Sequence, residues 1–578
     1  MAIEIPIGAR SRSVWFTAKS SNLILGILVL TVVAVGTLLP VLFLFWGSFN
    51  IGGPAHQASY GLANWQAAFS DPRIFDAIWT TVRLAVTRVA IAVVAGILFA
   101  WLIARTDMPG GSAFELLFWV AFFTPALPLT LGWILLLDPD TGLINQLLTR
   151  MPFIIGEGPF NIYSFWGIVW IHLTATSIPV AVILFTPAFR QMSAALEDSA
   201  RMCGASVLMT LRRITVPLLV PAILPATVIM LIRSLEAFEI ELLVGTPVGI
   251  YVYSTRIYDL IDESPPQFGM ATALGSLFLI MIFLLAGLYL LYVRGRRFTT
   301  ITGQGFSMEK IRLGRCRWLA FGLCGGYLFF SFGLSLFFLI LGSFMRRFGF
   351  FGLDNSFTLS HWAGLFEDPV LISSLVNSLI LGTASAVLAV VLFSLVAYVI
   401  VGSQLAGKNL LDMIVWVPWA IPGVLMGLAL VWLYLATPLR SVLYGSMTGL
   451  VLAMVLKELP VGTQLLKAGF VRLSHELEEA ARMCGASWAA AYRRIVLPLV
   501  TPVLINVAVL TFQGAVRDIA AIVFLYGNES RPLSVLMLEY SFSGEMEKGA
   551  VVGIVLVVMI SVVAIFTRRL AFRPGAST

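Results

Sequence analysis

Charge is scarce in this chain. Asp, Glu, Lys and Arg together make up 12% of 578 residues, against roughly 25% in an ordinary soluble domain. So low a fraction cannot cover a globular surface, which excludes a water-soluble enzyme or binding module of this length. Cysteine and histidine are rarer still, with four of each. Cys203, Cys316, Cys324 and Cys484 show none of the paired spacings of zinc or redox sites, and they fall in or near loops on one side of the chain's expected topology, so disulfides are not expected. His56, His172, His361 and His475 lack i, i+4 pairing, so no resident metal or nucleophile constellation is expected.

Apolar residues are abundant. They form 59% of the chain, with a mean hydropathy of +0.94. The run from Asn22 to Trp46 is too long for the apolar region of a signal peptide and reads as a retained first span. Further runs begin near Ala77, Phe114, Ser164, Leu218, Gly269, Leu319, Ser373, Leu410, Ser446, Leu499 and Gly549. That makes about 12 helices, each able to cross a hydrocarbon core of about 30 Å. The runs are continuous, not alternating, which excludes a β-barrel. An even count puts both termini on one side. Placing them in the cytoplasm puts most Lys and Arg in inside loops, above all Arg294, Arg296, Arg297, Lys310, Arg312, Arg315 and Arg317. The net charge of +7 is thereby a topology signal with some attraction to membrane lipid, and nucleic acid is not an expected partner.

The chain repeats itself. "LEDSARMCGAS" (Leu196 to Ser206) returns as "LEEAARMCGAS" (Leu477 to Ser487), 281 residues on, and the same offset carries Pro179, Pro217 and Pro221 onto Pro460, Pro498 and Pro502. Upstream, "LANWQAAFSDP" (Leu62 to Pro72) returns as "LSHWAGLFEDP" (Leu359 to Pro369) at an offset of 297. The difference is a loop-length change, which is cheap. The expected fold is an all-α polytopic membrane protein of two parallel six-helix repeats, with a substrate route between them.

Each charged, alanine-rich copy falls between the fourth and fifth span of its half. Ala, Glu, Arg and Met favour helix, and Gly204 or Gly485 can end it at positive φ. A short surface helix follows, with acids near its start and Arg201 or Arg482 a turn later. In the second copy, Glu479, Ala480, Ala481, Gly485, Ile495, Leu497 and Pro498 have the complete spacing of EAA-x3-G-x9-I-x-LP. This resembles the EAA motif of permease subunits of binding-protein-dependent ABC importers. The first copy departs from it: Asp198, Ser199 and Val216 replace Glu, Ala and Leu, while Ala200, Gly204, Ile214 and Pro217 stay.

The resemblance implies that these loops couple to a partner ATPase. Glu479 and Asp198 would anchor by charge, Ala480, Ala481 and Ala200 would permit close packing beside Arg482 and Arg201, and Gly204 and Gly485 would set the bend. It implies a fused importer permease: a cytoplasmic segment 1–21, a first repeat 22–293 with coupling loop 188–217, a basic linker 294–318, a second repeat 319–567 with coupling loop 468–498, and a cytoplasmic tail 568–578. Its partners would be two copies of an ABC ATPase and an extracytoplasmic solute-binding protein, in a bacterial inner membrane. No cofactor would be bound by this chain; ATP and Mg would be used by the ATPase.

"GSQLAGKN" (Gly402 to Asn409) mimics a phosphate loop, but Asn409 stands where Ser or Thr must hold magnesium, and a span precedes it instead of a strand. It reads as a turn, and the chain as a transport subunit and not an enzyme.

Ionisable residues within spans point to function. The fifth run carries Arg233, Glu236, Glu239 and Glu241, the eleventh carries Arg517 and Asp518, and the repeat register sets Glu236 opposite Arg517. Glu236, Arg517 and Asp518 are the candidates for lining a passage. Lys457 and Glu458 interrupt the tenth run and could instead fasten helices together. Arg83 and Arg88 read as an interfacial or bundle-facing turn. An ion-gradient-driven carrier of about 12 spans is the rival class, but "RTDMPGGSAFE" (Arg105 to Glu115) lacks the basic repeat such carriers place there. A scaffold without transport leaves the paired loops unexplained. Fusion of both halves, with "SLEAFEIELLVGTP" (Ser234 to Pro247) and "RRFTTITGQGF" (Arg296 to Phe306), is most similar to ferric-iron uptake permeases, with thiamine and aminoethylphosphonate permeases as relatives of the same layout.

Overall fold

The computed structural model describes residues 20–54, 59–151, 158–192, 194–294, 310–365, 367–402, 405, 407–438 and 440–571. Arg10, Arg12, Lys19, His56, Arg296, Arg297 and the tail from 572 lie outside the described residues. Among the described residues, nine helices are long and apolar enough to cross a membrane, from Ile24–Phe49 to Met546–Val563, and three bent pairs bring the number to 12. Strand structure among them is confined to isolated bridges. In lipid this is what backbone chemistry requires, because a helix satisfies its own amides and carbonyls where no water can.

The two halves repeat in detail. Their second spans, Pro72–Arg105 and Pro369–Gly402, are both 34 residues long and keep the 297-residue offset throughout. Asp71 caps the first of these, accepting from the Arg73 amide at 3.0 Å. Before each second span a tryptophan donates to a serine at the end of the first: Trp65 to Ser48 at 3.2 Å and Trp362 to Ser343 at 3.1 Å.

Both third spans are broken, where the sequence reading expected single helices. Gly111–Phe123 and Ala126–Leu137 meet at 95°, and Lys408–Ala420 and Gly423–Ala436 at 107°. The cause is Pro125 and its counterpart Pro422. A residue before proline is disfavoured in the helical region, and Thr124 and Ile421 are extended, at ψ 131° and 117°. The eleventh span is bent by 78° between Leu499 and Thr501, while its counterpart Val207–Leu235 is not. The tenth, Met447–Val471, runs unbroken through Lys457, Glu458 and Pro460.

The halves interlock. The first span of each packs on the third span of the other. At Gly132 this approach is so close that a Cβ would come within 2.0 Å of the Ser335 carbonyl oxygen. One apolar core, from Leu84 and Leu131 to Leu425 and Val516, runs across both halves. Cys324 is buried in the seventh span, not in a loop.

Candidate functional site

Two short helices leave the bundle: Ala194–Met202 after the fourth span and His475–Met483 after the tenth. They end alike. Gly204 has φ 85° and Gly485 φ 88°. The Gly204 and Ala205 amides donate to the Arg201 and Ala200 carbonyls at 2.9 and 3.0 Å, and the Gly485 and Ala486 amides to the Arg482 and Ala481 carbonyls, both at 3.0 Å. This is the Schellman ending, in which a left-handed residue lets the last carbonyls find donors. A Cβ on either glycine would meet nothing within 4 Å, so the backbone conformation alone demands glycine. Ser206 and Ser487 then cap the next helices by accepting from the Met209 and Ala490 amides, each at 3.3 Å.

The residues singled out by the motif face outward. Arg201, Gly204, Glu479, Ala480 and Gly485 are exposed, and Asp198, Ala200, Ala481 and Arg482 half-buried. What holds each helix to the bundle is the preceding acid, which sequence reasoning passed over although the repeat displays it twice. Glu197 and Glu478 are 1% and 3% exposed. Glu197 is ion-paired with Arg105, the last residue of the second span, whose Nε lies 3.2 Å away, and accepts from the Thr215 hydroxyl at 2.8 Å. Glu478 accepts from the Tyr398 hydroxyl at 2.7 Å, and its Oε2 is buried without a hydrogen-bond partner among the described residues. Burial pushes the Glu478 carboxyl above the ordinary carboxylate range, against the opposing effects of Tyr398 and Arg482. The two anchors differ because Gly402 and Val496 stand where the first half has Arg105 and Thr215. The described part of the linker joins the first anchor: Ile311 donates to the Arg105 carbonyl at 2.7 Å and accepts from the Asp107 amide at 3.0 Å.

A cavity of about 320 Å³ lies between the halves, and it brings together all three passage candidates, Glu236, Arg517 and Asp518. Glu236 follows the fifth span directly, and Arg517 and Asp518 end the eleventh, so the repeat register is realised as two facing helix ends. Arg233 pairs with Glu236 at 2.9 Å, and Lys457 with Asp518. Glu239 also faces the cavity; its carboxylate makes no hydrogen bond or ion pair with a described residue. Lys457 is 14 residues from Val471, about 21 Å at 1.5 Å per residue, which sets the cavity within the thickness of a hydrocarbon core. Among the described residues no group of three or more His, Cys, Asp or Glu side chains is placed to hold a metal ion.

Beside the cavity sits a cluster that sequence reasoning did not assemble. Arg88 is not in a turn but midway along the second span, and 2% exposed. It donates to the Ser234 hydroxyl at 2.7 Å and to Glu241 Oε1 at 3.0 Å, and that oxygen lies 2.8 Å from His172 Nε2. The second half has Ser385, Ala453 and Ile522 at the equivalent places of Arg88, His172 and Glu241. Arg88→Leu removes the permanent counter-charge of the buried Glu241 carboxylate and leaves it His172 alone, a loss of about 3–5 kcal/mol. The expected result is little folded protein in membranes by quantitative blot, with much of it restored by the added change Glu241→Leu.

Twelve spans in two interlocked repeats, a charged cavity at their junction and a matched pair of surface helices define a polytopic membrane protein built for moving solute. Residues 67–298 and 399–574 match the family described as binding-protein-dependent transport system inner membrane component, and the chain belongs to that family. It is 27% identical to the ferric transport system permease protein FbpB of Actinobacillus pleuropneumoniae, over 70% of this chain and 58% of that one. It is 28% identical to the putative ferric transport system permease protein FbpB 1 of Haemophilus influenzae, over 75% of this chain and 67% of that one. The match thus spans little more than half the length of the first of these relatives. A probable ABC transporter permease protein, y4fN of Sinorhizobium fredii, is 25% identical over 83% of this chain and 84% of its own. A crystal structure of a bacterial ABC transporter involved in the import of the acidic polysaccharide alginate aligns with 45% of this chain and 97% of its own at a TM-score of 0.37 and 18% identity.

Proposed function

We propose that this chain is the fused permease of an ATP-driven importer, taking ferric iron from an extracytoplasmic binding protein and passing it through the cavity between its halves. The observation that carries the reading is the pair of glycine-terminated helices, at the same place in two six-span repeats. Each is a knob with an acid, small residues and an apolar tip: Met202 and Met483, 281 residues apart in sequence, are 85% and 88% exposed. Methionine adapts to the surface it meets, and an exposed apolar tip beside charges suits a partner's groove. Two copies of an ATPase, using ATP and Mg, would grip Asp198, Ala200 and Arg201 on one side and Glu479, Ala480, Ala481 and Arg482 on the other. Gly204 and Gly485 would hold the angle at which each helix is gripped. ATP-driven closure would draw the two helices together and shift the halves between inward- and outward-open states. Both termini and the linker would be cytoplasmic, on the ATPase side.

Iron as cargo is supported by the names of the relatives. The test is uptake of radiolabelled ferric iron into vesicles holding this chain, the ATPase and the binding protein. Uptake should require all three and ATP. Solute movement driven by an ion gradient with no ATPase present would overturn the reading.

A further inference from the structure

The broken third spans carry a second pair of matched contacts, and these cross between the halves. Phe122 and Trp419 stand 297 residues apart in sequence, each three residues before the proline that breaks its span. Arg233, from the fifth span of the first half, lies over the Trp419 ring of the second half at 4.9 Å from its centroid. Arg517, from the eleventh span, lies over the Phe122 ring of the first half at 5.8 Å, and its guanidinium donates to the Phe122 carbonyl at 3.4 Å. A cation within about 6 Å of a ring centroid is attracted by the ring's negative face. Arg517 aligns with Glu236, one helical turn beyond Arg233, so each half sends a cation from the same end of the same span onto the same corner of the other.

Phe122, Arg233 and Arg517 all line the cavity between the halves. Each ring sits in the last turn before the corner, two residues ahead of the extended Thr124 or Ile421. Glu236, bonded to Arg233 at 2.9 Å, steers that guanidinium. Any separation of the halves at the cavity must draw both arginines off their rings.

We infer that Arg233 on Trp419 and Arg517 on Phe122 form a reciprocal double latch that seals the passage between the halves when no solute is moving. The inference rests on the reading of the cavity as the passage, but not on the identity of the cargo. A single latch would leave one side of the pseudo-twofold junction free to gape, whereas two bind it on both sides. The four residues are positioning groups of the gate and need not touch cargo.

The test is passive leak, measured without cargo, ATP or binding protein, so failure of the iron reading leaves it readable. Full-length chain is reconstituted in liposomes and efflux of chloride and of rubidium is followed. The variant R233A/R517A should leak at least tenfold faster than the unaltered protein, each single variant should fall between, and F122A/W419A should reproduce the double arginine variant from the other side of the contacts. The variant F122Y/W419F keeps both rings and should stay tight. Two results would overturn the latch: R233A/R517A and F122A/W419A as tight as the unaltered protein while eluting as monodisperse particles, or F122Y/W419F as leaky as the alanine pair.

Discussion

Uptake is expected to collapse when Gly204 and Gly485 are both replaced by valine, while insertion into the membrane stays normal. Both glycines have φ near 85–88°, where an L residue is strained by about 1–2 kcal/mol and a β-branched one by more. A change of that size shifts a two-state balance by a factor of about 5–30. The balance affected is local: whether each helix ends at Met202 or Met483 and turns into its successor, or frays and loses its angle. Open space around both glycines means that no core is disturbed, so the protein should still reach the membrane. Gly485→Val alone should lower uptake by about tenfold, and the double change should lower it further. Quantitative blots of membranes alongside uptake separate the two effects. Full uptake with both positions altered would remove the coupling role from these loops.

Arg105→Ala should be among the most destabilising single changes in the chain, at about 3–5 kcal/mol, because it leaves the buried Glu197 carboxylate without its counter-charge. The pair is 3% and 2% exposed, so solvent cannot take the place of the lost partner. Replacing both residues by methionine should recover most of the stability, since exchanging a buried pair for apolar groups is often neutral. The corresponding loss at the other coupling helix should be smaller. Tyr398→Phe removes one hydrogen bond from Glu478 and costs about 1–3 kcal/mol as an unmet buried acceptor. Thermal unfolding of the detergent-purified protein measures all three. An unchanged midpoint in Arg105→Ala would mean that the pair contributes nothing.

These expectations differ from one that the motif alone suggests. The shorter acid Asp198, in place of Glu, points to unequal docking of the ATPases. The inequality visible in the structure lies underneath, where one helix is held by an ion pair and the other by a tyrosine.

Much of this protein was legible before folding. Hydropathy placed nine single spans and, if each bent pair is one span, all 12, because in lipid the length and apolarity of a run nearly determine that it is a helix across the membrane. The repeat offsets of 281 and 297 paired the halves, and the glycines marked the helix ends because few other residues accept a positive φ. Glu236, Arg517 and Asp518 were singled out as charges in apolar runs, and they do meet at one cavity. The broken third spans were within reach too, since Pro125 and Pro422 are repeat partners. What the chain could not declare was which charges are partners. Arg88 finds Glu241 across 153 residues, Arg105 finds Glu197 across 92, and Arg517 reaches Phe122 across 395. Hydropathy and spacing report only a residue's own neighbourhood along the chain. The buried ion pairs are decided by which helix faces pack together inside the first half, and the arginine–aromatic contacts only when the two halves interlock.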